Sequence, residues 1–549
     1  MIFLELIFFL TLSFFSIYSL GGLGQLILNQ KEEFFFESIF FGFIAATFII
    51  TLFHFFIKIN LYVILFVFIF GFYNAIKKFK FDKDYHKRNL IYFIIFFIFV
   101  PIFLSQKFHE DFGYYHLPYV INLFNEKIIF GMANVNSGFI HNSIWLNLYS
   151  LFYFNNNFNF LTLPTFLLFV LFILFSLKNI LEYKNSLVSN YFLIVSIFYL
   201  ILKFTRISEY GTDLPATLFS LLSIYYFLKY FELTKIEIKN LYFYIILSFT
   251  VFSILIKFSS IPLIILVIFI FLKDYKILRN EIFKLKYNFI YSFGLLFLVQ
   301  QFIYSGCLIF PSELSCFKVS WFNDESLAWK NKLELINKSF SSTNNEITKE
   351  NYLTNFNWVP YWFKRNYMEI SEHLLTMLIP LLIFLTFLKK DFKKKFQNNK
   401  SFLILITFIL SGLVFWFIFS PVLRFSVPYL VSLIFLITFH IYIKKKFSKK
   451  IFVIFLSLII IFNLSKNINR ILKIDNIYFG IDKVDNKYIQ LSNINSKSLN
   501  VYMPDIKKNY QNGWQGRLCW DIPFLCTYNE ISISKKYGYY FVNKLNKLK

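Results

Sequence analysis

The feature that most constrains this chain is a series of long, nearly uncharged apolar runs. A run of about 20 apolar residues is long enough to cross a bilayer as one α-helix. Here 57% of the 549 residues are hydrophobic and the mean hydropathy is +0.57, whereas soluble domains are about 45–50% apolar. The sequence therefore excludes a soluble globular domain and a disordered chain, and it predicts an all-α polytopic membrane protein.

We predict about fourteen membrane helices, although several are shorter than the ~20 residues that a straight span needs. Lys257 and Pro262 interrupt one apolar stretch, so residues 260–272 are either a separate span or part of an irregular one. The predicted spans are residues 2–28, 34–56, 61–76, 89–105, 159–177, 187–204, 212–228, 241–256, 260–272, 289–304, 371–388, 401–419, 425–443 and 451–464.

Lysine-rich connections orient these helices, because short loops with excess Lys and Arg stay on the cytoplasmic side. Four such loops fall on one side of the predicted topology: residues 77–80, 273–288, 389–395 and 444–446. The N-terminus and the longer segments 106–158, 305–370 and 465–549 are then predicted outside. The net charge of +25 is explained by these loops, so we expect the lipid bilayer, and no nucleic acid, as a partner.

All four cysteines lie in the predicted outer segments, as two close pairs. Disulfides belong to oxidising compartments outside the cytosol, so we predict the bonds Cys307–Cys316 and Cys519–Cys526. Free thiols are the alternative. A zinc site is disfavoured, because no histidine lies near either pair.

The outer segment richest in reactive side chains is His109-Glu110-Asp111-Phe112-Gly113-Tyr114-Tyr115-His116. Asp111, with Glu110 beside it and His116 in support, is our candidate general base, a role that requires reach to an acceptor hydroxyl. The alternative is that these carboxylates only solvate a loop. A divalent metal held by His109, Asp111, His116 or His141 stays open, although the spacing matches no defined metal motif. Residues 117–130 predict an amphipathic helix on the membrane surface.

Charged residues at the outer helix ends form a second candidate group. The short turn 206–215 holds Arg206, Glu209 and Asp213, and charges at the lip of a bilayer usually mark a pathway or a site. Lys257 and Arg424 each stand in a very short outer turn, against the charge bias, and both residue types bind phosphate. The alternatives are helix capping by Asp213 and snorkelling of the two cations to the interface.

The chain contains no glycine-rich phosphate loop of the common kinds, and its predicted cytoplasmic loops are too short for a nucleotide domain. An enzyme of this topology would therefore act outside, on a lipid-linked donor. The sequence resembles the GT-C superfamily of polytopic glycosyltransferases, which includes protein mannosyltransferases and lipid A aminoarabinose transferases. The resemblance rests on Glu110-Asp111 with the helix after it, and on Ile207 to Ala216 as the acidic outer start of a helix.

The resemblance covers residues 89–304 with some specificity and implies a division of the chain. The regions are an N-terminal three-helix addition (1–88), a seven-helix module with the acidic loop 106–158 (89–304), an outer loop (305–370), four further membrane helices (371–464) and an outer-face C-terminal domain of mixed structure (465–549). The Cys519…Cys526 tail is also similar to a group of bacterial GT-C-like membrane proteins of unassigned function.

The resemblance also implies an inverting transfer at the periplasmic face of the bacterial inner membrane. The donor would be a polyprenyl-phosphate-linked sugar, and the acceptor a glycan, a lipid or a protein. Asp111 would take the acceptor proton, while we infer from position that Arg206, Lys257 or Arg424 meets the leaving phosphate. No cofactor is certain, and a divalent metal stays open.

Two other functions remain open at this point. An envelope polysaccharide polymerase or ligase would rely on outer-loop cations such as Arg365 and Arg424, and would need no acid pair. A lipid or solute transporter would place polar sites near the bilayer midplane, whereas the charges here lie at the outer helix ends.

Overall fold

The computed structural model describes residues 2–28, 35–78, 85–104, 111–154, 160–182, 187–203, 210–232, 235–310, 312–322, 325–341, 347–390, 399–473, 491–493, 499, 501–504 and 518–544. Within these ranges the chain is mainly helical. Its α-helices are α1 (Ile2–Leu28), α2 (Phe35–Phe56), α3 (Leu61–Lys78), α4 (Tyr85–Leu104), α5 (Leu117–Asn125), α6 (Met132–Val135), α7 (Ile144–Tyr149), α8 (Leu163–Glu182), α9 (Leu187–Lys203), α10 (Asp213–Glu232), α11 (Ile236–Ile256), α12 (Ile264–Lys273), α13 (Tyr275–Glu281), α14 (Leu285–Ser305), α15 (Glu325–Asn337), α16 (Lys349–Leu353), α17 (Trp358–Phe387), α18 (Asn399–Phe419), α19 (Val427–Tyr442) and α20 (Lys449–Ile471).

Five short strands near the C-terminus accompany these helices. They are β1 (Leu491–Asn493), β2 (Val501–Pro504), β3 (Leu525–Cys526), β4 (Ile531–Lys536) and β5 (Tyr539–Lys544). β2 pairs antiparallel with β1 and parallel with β3, while β4 and β5 form an antiparallel hairpin. Tyr537 and Gly538 both have positive φ at the hairpin turn, which is the geometry of a two-residue type I′ connection.

Among the described residues, nine helices are long and apolar enough to cross a membrane, and a tenth span results if α13 and α14, bent by 75°, count as one. Four shorter apolar helices accompany them: Tyr92–Phe103, Val188–Lys203, Phe258–Lys273 and Val427–Tyr442. The chain is therefore a multi-pass membrane protein, and the prediction of an all-α membrane fold with a small mixed C-terminal region is confirmed at this level.

Glycines let the first three helices pack with their backbones in near contact. A Cβ atom at Gly24 would lie 1.7 Å from the Ser38 carbonyl oxygen, and one at Gly42 would lie 1.9 Å from that of Leu20. Small residues allow this close approach, which drives helix association in lipid. Deeper in the protein, α8 and α10 are enclosed on nearly all sides, since 94% of the apolar window of each is buried.

The apolar stretch around Lys257 and Pro262 is broken. α11 ends at Ile256, a 3₁₀-helix follows over Phe258–Leu263, and α12 begins at Ile264. Proline lacks the N–H that a continuous α-helix needs, and the freed polar groups are bonded locally, since Ser260 N donates to Lys257 O at 3.1 Å. Ser253 Oγ donates to Ser260 Oγ at 2.8 Å, so the break is held by its own side chains.

The helix predicted to lie on the membrane surface over 117–130 is shorter and is buried. It ends at Asn125, and every residue from Leu117 to Leu123 is buried. The C-terminal region covers it, since Asn125 Nδ2 donates to the Pro523 carbonyl at 2.8 Å. Sequence periodicity indicated the helix but not its cover, which lies almost 400 positions away in the chain.

The described residues of the C-terminal region are joined to the segment that follows α5. Phe130 N donates to Tyr540 O at 2.9 Å and Val542 N donates to Phe130 O at 2.8 Å, so β5 pairs with the first outer segment. Thr527 Oγ1 also bonds Val135 O at 2.9 Å. The last long helix, α20, continues to Ile471, seven residues beyond the end of the predicted span 451–464.

The outer loop predicted over 305–370 contains part of a long helix. α17 begins at Trp358 and runs for 30 residues to Phe387, so the part from Trp358 to Ile370 lies before the predicted span 371–388. Trp358 and Trp362 are buried, and Trp362 Nε1 donates to Pro421 O at 2.9 Å. The charged residues that follow them lower the mean hydropathy of this segment and hide the helix. Both predicted disulfides, Cys307–Cys316 and Cys519–Cys526, are confirmed.

Candidate functional site

Three of the predicted site residues meet at one end of the helix bundle. Asp213 is the first residue of α10, Lys257 follows the last residue of α11, and Arg424 lies in the 3₁₀-turn Leu423–Phe425 before α19. Each turn is short, so packing of the three helices brings their ends together. Asp213 also stands at the positive end of the α10 dipole, where a carboxylate is stabilised.

The carboxylate of Asp213 pairs with both cations. Oδ1 contacts Lys257 Nζ, and Oδ2 lies 2.7 Å from Arg424 Nε. The side chains of Asp213, Lys257 and Arg424 are 17%, 22% and 31% exposed, respectively. They are therefore shielded but still accessible. The ammonium of Lys257 also lies 3.5 Å from the ring centroid of Phe425, which attracts a cation through its π face.

Arg424 has donor capacity that the described residues do not use. Its Nε is buried, yet it has no hydrogen-bond acceptor among the residues that the structure describes. The contact with Asp213 is therefore an ion pair whose N–H is not aligned on the carboxylate.

A small cleft opens between the three charged groups. Its volume is only about 10 Å³, and it is lined, besides Asp213, Lys257 and Arg424, by Ala216, Thr217, Ser259, Ser260, Phe425 and Pro428. Its wall therefore combines hydroxyl groups, two cations and one carboxylate with apolar side chains.

Asp111 lies within electrostatic range of this cleft. Burial lowers the pKa of Lys257 to about 8, Asp213 and Asp111 oppose that shift, and Arg424 adds to it. Burial also raises the pKa of Tyr115, with further increases from Asp111 and Asp213 and a decrease from Arg424. Tyr115 is therefore within electrostatic range of Asp111 and of two of the three cleft charges, Asp213 and Arg424.

The local fold of Asp111 is unusual. It directly precedes a π-helix over Phe112–His116, which passes into α5 at Leu117, and π-helical turns occur often at functional sites. The side chain of Asp111 is partly exposed, whereas Phe112 and His116 are buried. Tyr210 packs against this turn, with its ring 4.6 Å from Phe112 and 5.5 Å from His116.

The remaining predicted site residues have different outcomes. Glu110, Arg206 and Glu209 lie outside the described residues, as do His109 and the side chain of His141. Within the described ranges, no group of three or more His, Cys, Asp or Glu side chains could hold a metal ion. The catalytic and phosphate-binding roles of the residues that are placed stay predictions.

Sequence reasoning missed several residues that shape the site. Tyr115 is visible in the sequence only as part of the acidic segment, and Thr217 and Ser260 give no signal beyond their position near a charged turn. Ser220, Ser253 and Ser260 form a hydrogen-bonded cluster beneath the cleft, with Ser220 Oγ 2.8 Å from Ser253 Oγ. Their spacing on separate helices could not be read without the packing.

Comparison with known proteins gives a family without a function. The family model described as "Domain of unknown function (DUF8201)" matches residues 1–431. That range includes Asp111, Asp213, Lys257 and Arg424. Neither a curated protein nor a solved structure matches the chain. Since the match covers most of the sequence, the chain belongs to the DUF8201 family.

Proposed function

We propose that this protein is a GT-C-like membrane glycosyltransferase that moves a sugar from a polyprenyl-phosphate donor to an acceptor outside the cytoplasm. The observation that carries the proposal is the meeting of Lys257 and Arg424 around Asp213, with Asp111 in electrostatic range. A pair of cations beside a carboxylate base matches the two demands of such a transfer, which are charge for the leaving group and a proton acceptor for the nucleophile.

In the proposed reaction the donor phosphate lies in the cleft against Lys257 and Arg424. Asp111 accepts the proton of the acceptor hydroxyl, and that oxygen bonds to the anomeric carbon from the face opposite the phosphate. The bond from this carbon to the phosphate oxygen breaks, and the polyprenyl phosphate leaves with the electron pair. Cations placed where that charge develops give the largest usual contribution to such catalysis.

Asp213 has a supporting role in this proposal. It holds both cations in place, and its charge opposes the loss of the Lys257 proton. Without such a carboxylate, two cations in one shielded cleft would repel each other. The cleft would then present the donors of Lys257 and Arg424 to a phosphate, with the Asp213 carboxylate between them as a counter-charge.

The proposal also includes a membrane topology of fourteen spans. With α13 and α14 counted as one span there are ten long spans, and the four shorter apolar helices bring the total to fourteen. In this topology α4, α9, α12 and α19 also cross the bilayer. The cleft and both disulfides would face the periplasm of a bacterial inner membrane. This placement agrees with the lysine-rich loops at the opposite ends of the helices.

The polymerase or ligase alternative has less support. It would rely on Arg365 as well as Arg424, but Arg365 Nη1 donates to the carbonyl oxygen of Ser339. That hydrogen bond ties Arg365 to the segment after α15. Arg424 is instead paired with Asp213, so the two arginines have separate surroundings.

The proposal is tested by mass spectrometry of cell-envelope glycans. A strain that lacks the protein is compared with strains that carry wild type or the double variant Lys257→Met/Arg424→Gln. We expect deletion to remove one defined glycan mass, wild type to restore it, and the double variant to fail although it reaches the membrane. Full restoration by the double variant, or no glycan change on deletion, would contradict the proposal.

A further inference from the structure

The π-helical turn that follows Asp111 packs against the C-terminal disulfide loop. We propose that this loop, residues 518–528 closed by Cys519–Cys526, fixes the position of Asp111, and that Trp520 is the positioning residue within it. The inference rests on the proposed function, because the loop is proposed to position the candidate general base, Asp111. The loop lies outside the matched residues 1–431, whereas the turn that it contacts lies inside them.

The indole of Trp520 lies flat on Gly113. A Cβ atom at Gly113 would lie 2.6 Å from the ring atom Cδ2, so no larger residue fits there without a shift. The backbone joins as well, since Trp520 N donates to Gly113 O at 2.9 Å. Phe112 packs edge-on against the same indole, with the two ring centroids 6.2 Å apart. The contact therefore involves both residues that follow Asp111.

A second contact of the same loop reaches the next residue of the turn. The rings of Tyr528 and Tyr114 lie 5.1 Å apart, and the Tyr528 hydroxyl accepts a hydrogen bond from Cys519 N at 2.9 Å. Tyr528 N donates to Val135 O at 3.3 Å. The disulfide loop is thereby joined both to the turn and to the segment behind it.

The opposite side of the turn rests on residues 136–138. Asn136 Nδ2 donates to Tyr114 O at 2.7 Å, and the Tyr114 hydroxyl lies 2.8 Å from Ser137 Oγ. Gly138 is covered by Tyr115, because a Cβ atom there would lie 2.6 Å from the tyrosine ring. The turn is thus enclosed between two layers, and the C-terminal loop forms the outer one.

The conformation of Trp520 requires support of its own. Its φ is +43°, a left-handed conformation that is disfavoured for a bulky residue and persists only when its surroundings impose it. The disulfide closes a short loop around it, with its cysteines seven positions apart. Such a crosslink removes alternative conformations of the loop, so its loss would release Trp520 from Gly113.

Removal of one disulfide, with the other as the matched control, tests this proposal. The test variant is Cys519→Ser/Cys526→Ser and the control is Cys307→Ser/Cys316→Ser. The two bonds close loops of similar length, with sequence separations of seven and nine, so a general loss of stability would affect both alike. The readouts are hydrogen exchange of the amides of residues 112–117, the glycan product in cells, and binding of undecaprenyl monophosphate to purified protein.

We expect exchange at residues 112–117 to rise about tenfold or more in the test variant, as a locally opened segment shows, and to stay unchanged in the control. The glycan product should fall with it, while probe binding at Lys257 and Arg424 is retained. A merely structural role would reduce product and probe binding together, or would affect both disulfide variants equally, and either result would overturn the proposal.

Two further measurements test the proposal if the Cys519→Ser/Cys526→Ser variant fails to fold. The first is mild reduction of the already folded Cys307→Ser/Cys316→Ser protein, which should raise hydrogen exchange over the same residues. Unchanged exchange after complete reduction would contradict the positioning role of the disulfide loop. The second is the pair Gly113→Ala and Trp520→Ala. Each alone should raise exchange, but the double variant should be no worse than Trp520→Ala, because the indole that the added methyl group would strike is gone. Additive effects would contradict the contact.

These readouts distinguish failure of the positioning role of the disulfide loop from failure of the proposed function. If deletion of the protein changes no glycan, the transferase proposal fails, but exchange at residues 112–117 still decides whether the disulfide loop holds the turn. Suppose instead that the glycan depends on the protein, but that loss of the Cys519–Cys526 bond changes neither hydrogen exchange nor product. Then the positioning role of the disulfide loop is refuted, and the transferase proposal stands.

Discussion

Arg424 offers the sharpest quantitative prediction about the cleft. Its Nε is paired with Asp213 Oδ2 at 2.7 Å, and its side chain is 31% exposed beside the cleft. The change Arg424→Gln keeps much of the length of the side chain and removes the charge and the donor fork. We therefore expect weaker binding of a polyprenyl monophosphate, with the chain still folded.

The magnitude follows from the contact that is lost. A hydrogen bond to a charged group contributes about 1.5–3 kcal/mol, which corresponds to a roughly 10- to 150-fold change in Kd. Arg424 also lowers the pKa of Lys257, so its removal leaves that ammonium more fully charged and offsets part of the loss. We expect a Kd increase of about 10- to 30-fold for Arg424→Gln, and a smaller one for Arg424→Lys, which keeps the charge but not the planar fork.

The assay is titration of undecaprenyl monophosphate against the purified protein in lipid nanodiscs. Arg279→Gln is the matched control, because Arg279 is exposed on α13, at the end of the bundle that the lysine-rich loops place on the opposite side. We expect wild-type affinity for the control. Unchanged affinity for Arg424→Gln, in protein with a wild-type melting temperature, would refute the phosphate-binding role of the cleft.

Three further predictions address charge and packing. Probe affinity should fall as pH rises through about 8, where burial places the pKa of Lys257, since the neutral amine attracts no phosphate; a pH series should show the fall in wild type and not in Lys257→Arg. Asp213→Asn should move that fall to lower pH, because Asp213 keeps the pKa of Lys257 from falling further; an unmoved profile would contradict the pairing. Gly42→Ala should destabilise the protein by about 1–3 kcal/mol through overpacking, because its methyl group would lie 1.9 Å from Leu20 O. Gly294→Ala, with nothing within 4 Å, should leave the melting temperature unchanged or raise it, and equal losses in both would refute the packing argument.

The sequence predicted the components of the cleft better than their arrangement. Lys257 and Arg424 were visible because each opposes the charge bias of its side, and Asp213 because it begins a helix at a charged turn. Their meeting depends on the packing of α10, α11 and α19, which no local pattern encodes.

The errors have a common physical origin in contacts between distant segments. The helix after Asp111 has the periodicity of a surface helix, but residues near Pro523 cover it. The start of α17 is polar enough to resemble a loop, yet Trp362 packs against Trp416 with the rings 5.9 Å apart. In both places tertiary burial decided a segment whose local pattern indicated exposure.

The role of Asp111 is the central claim, and one substitution tests it most directly. Envelope glycans are measured by mass spectrometry in a deletion strain that carries wild type, Asp111→Asn or Asp274→Asn. Asp274 is the control carboxylate. It accepts a hydrogen bond from the Tyr230 hydroxyl at 2.6 Å, and it follows Lys273 at the end of α12. We expect wild type and Asp274→Asn to restore the missing glycan. Asp111→Asn should lose about 10²–10⁴-fold in rate, as loss of a general base does, and give no detectable product while probe binding is kept. Full restoration by Asp111→Asn would contradict the account.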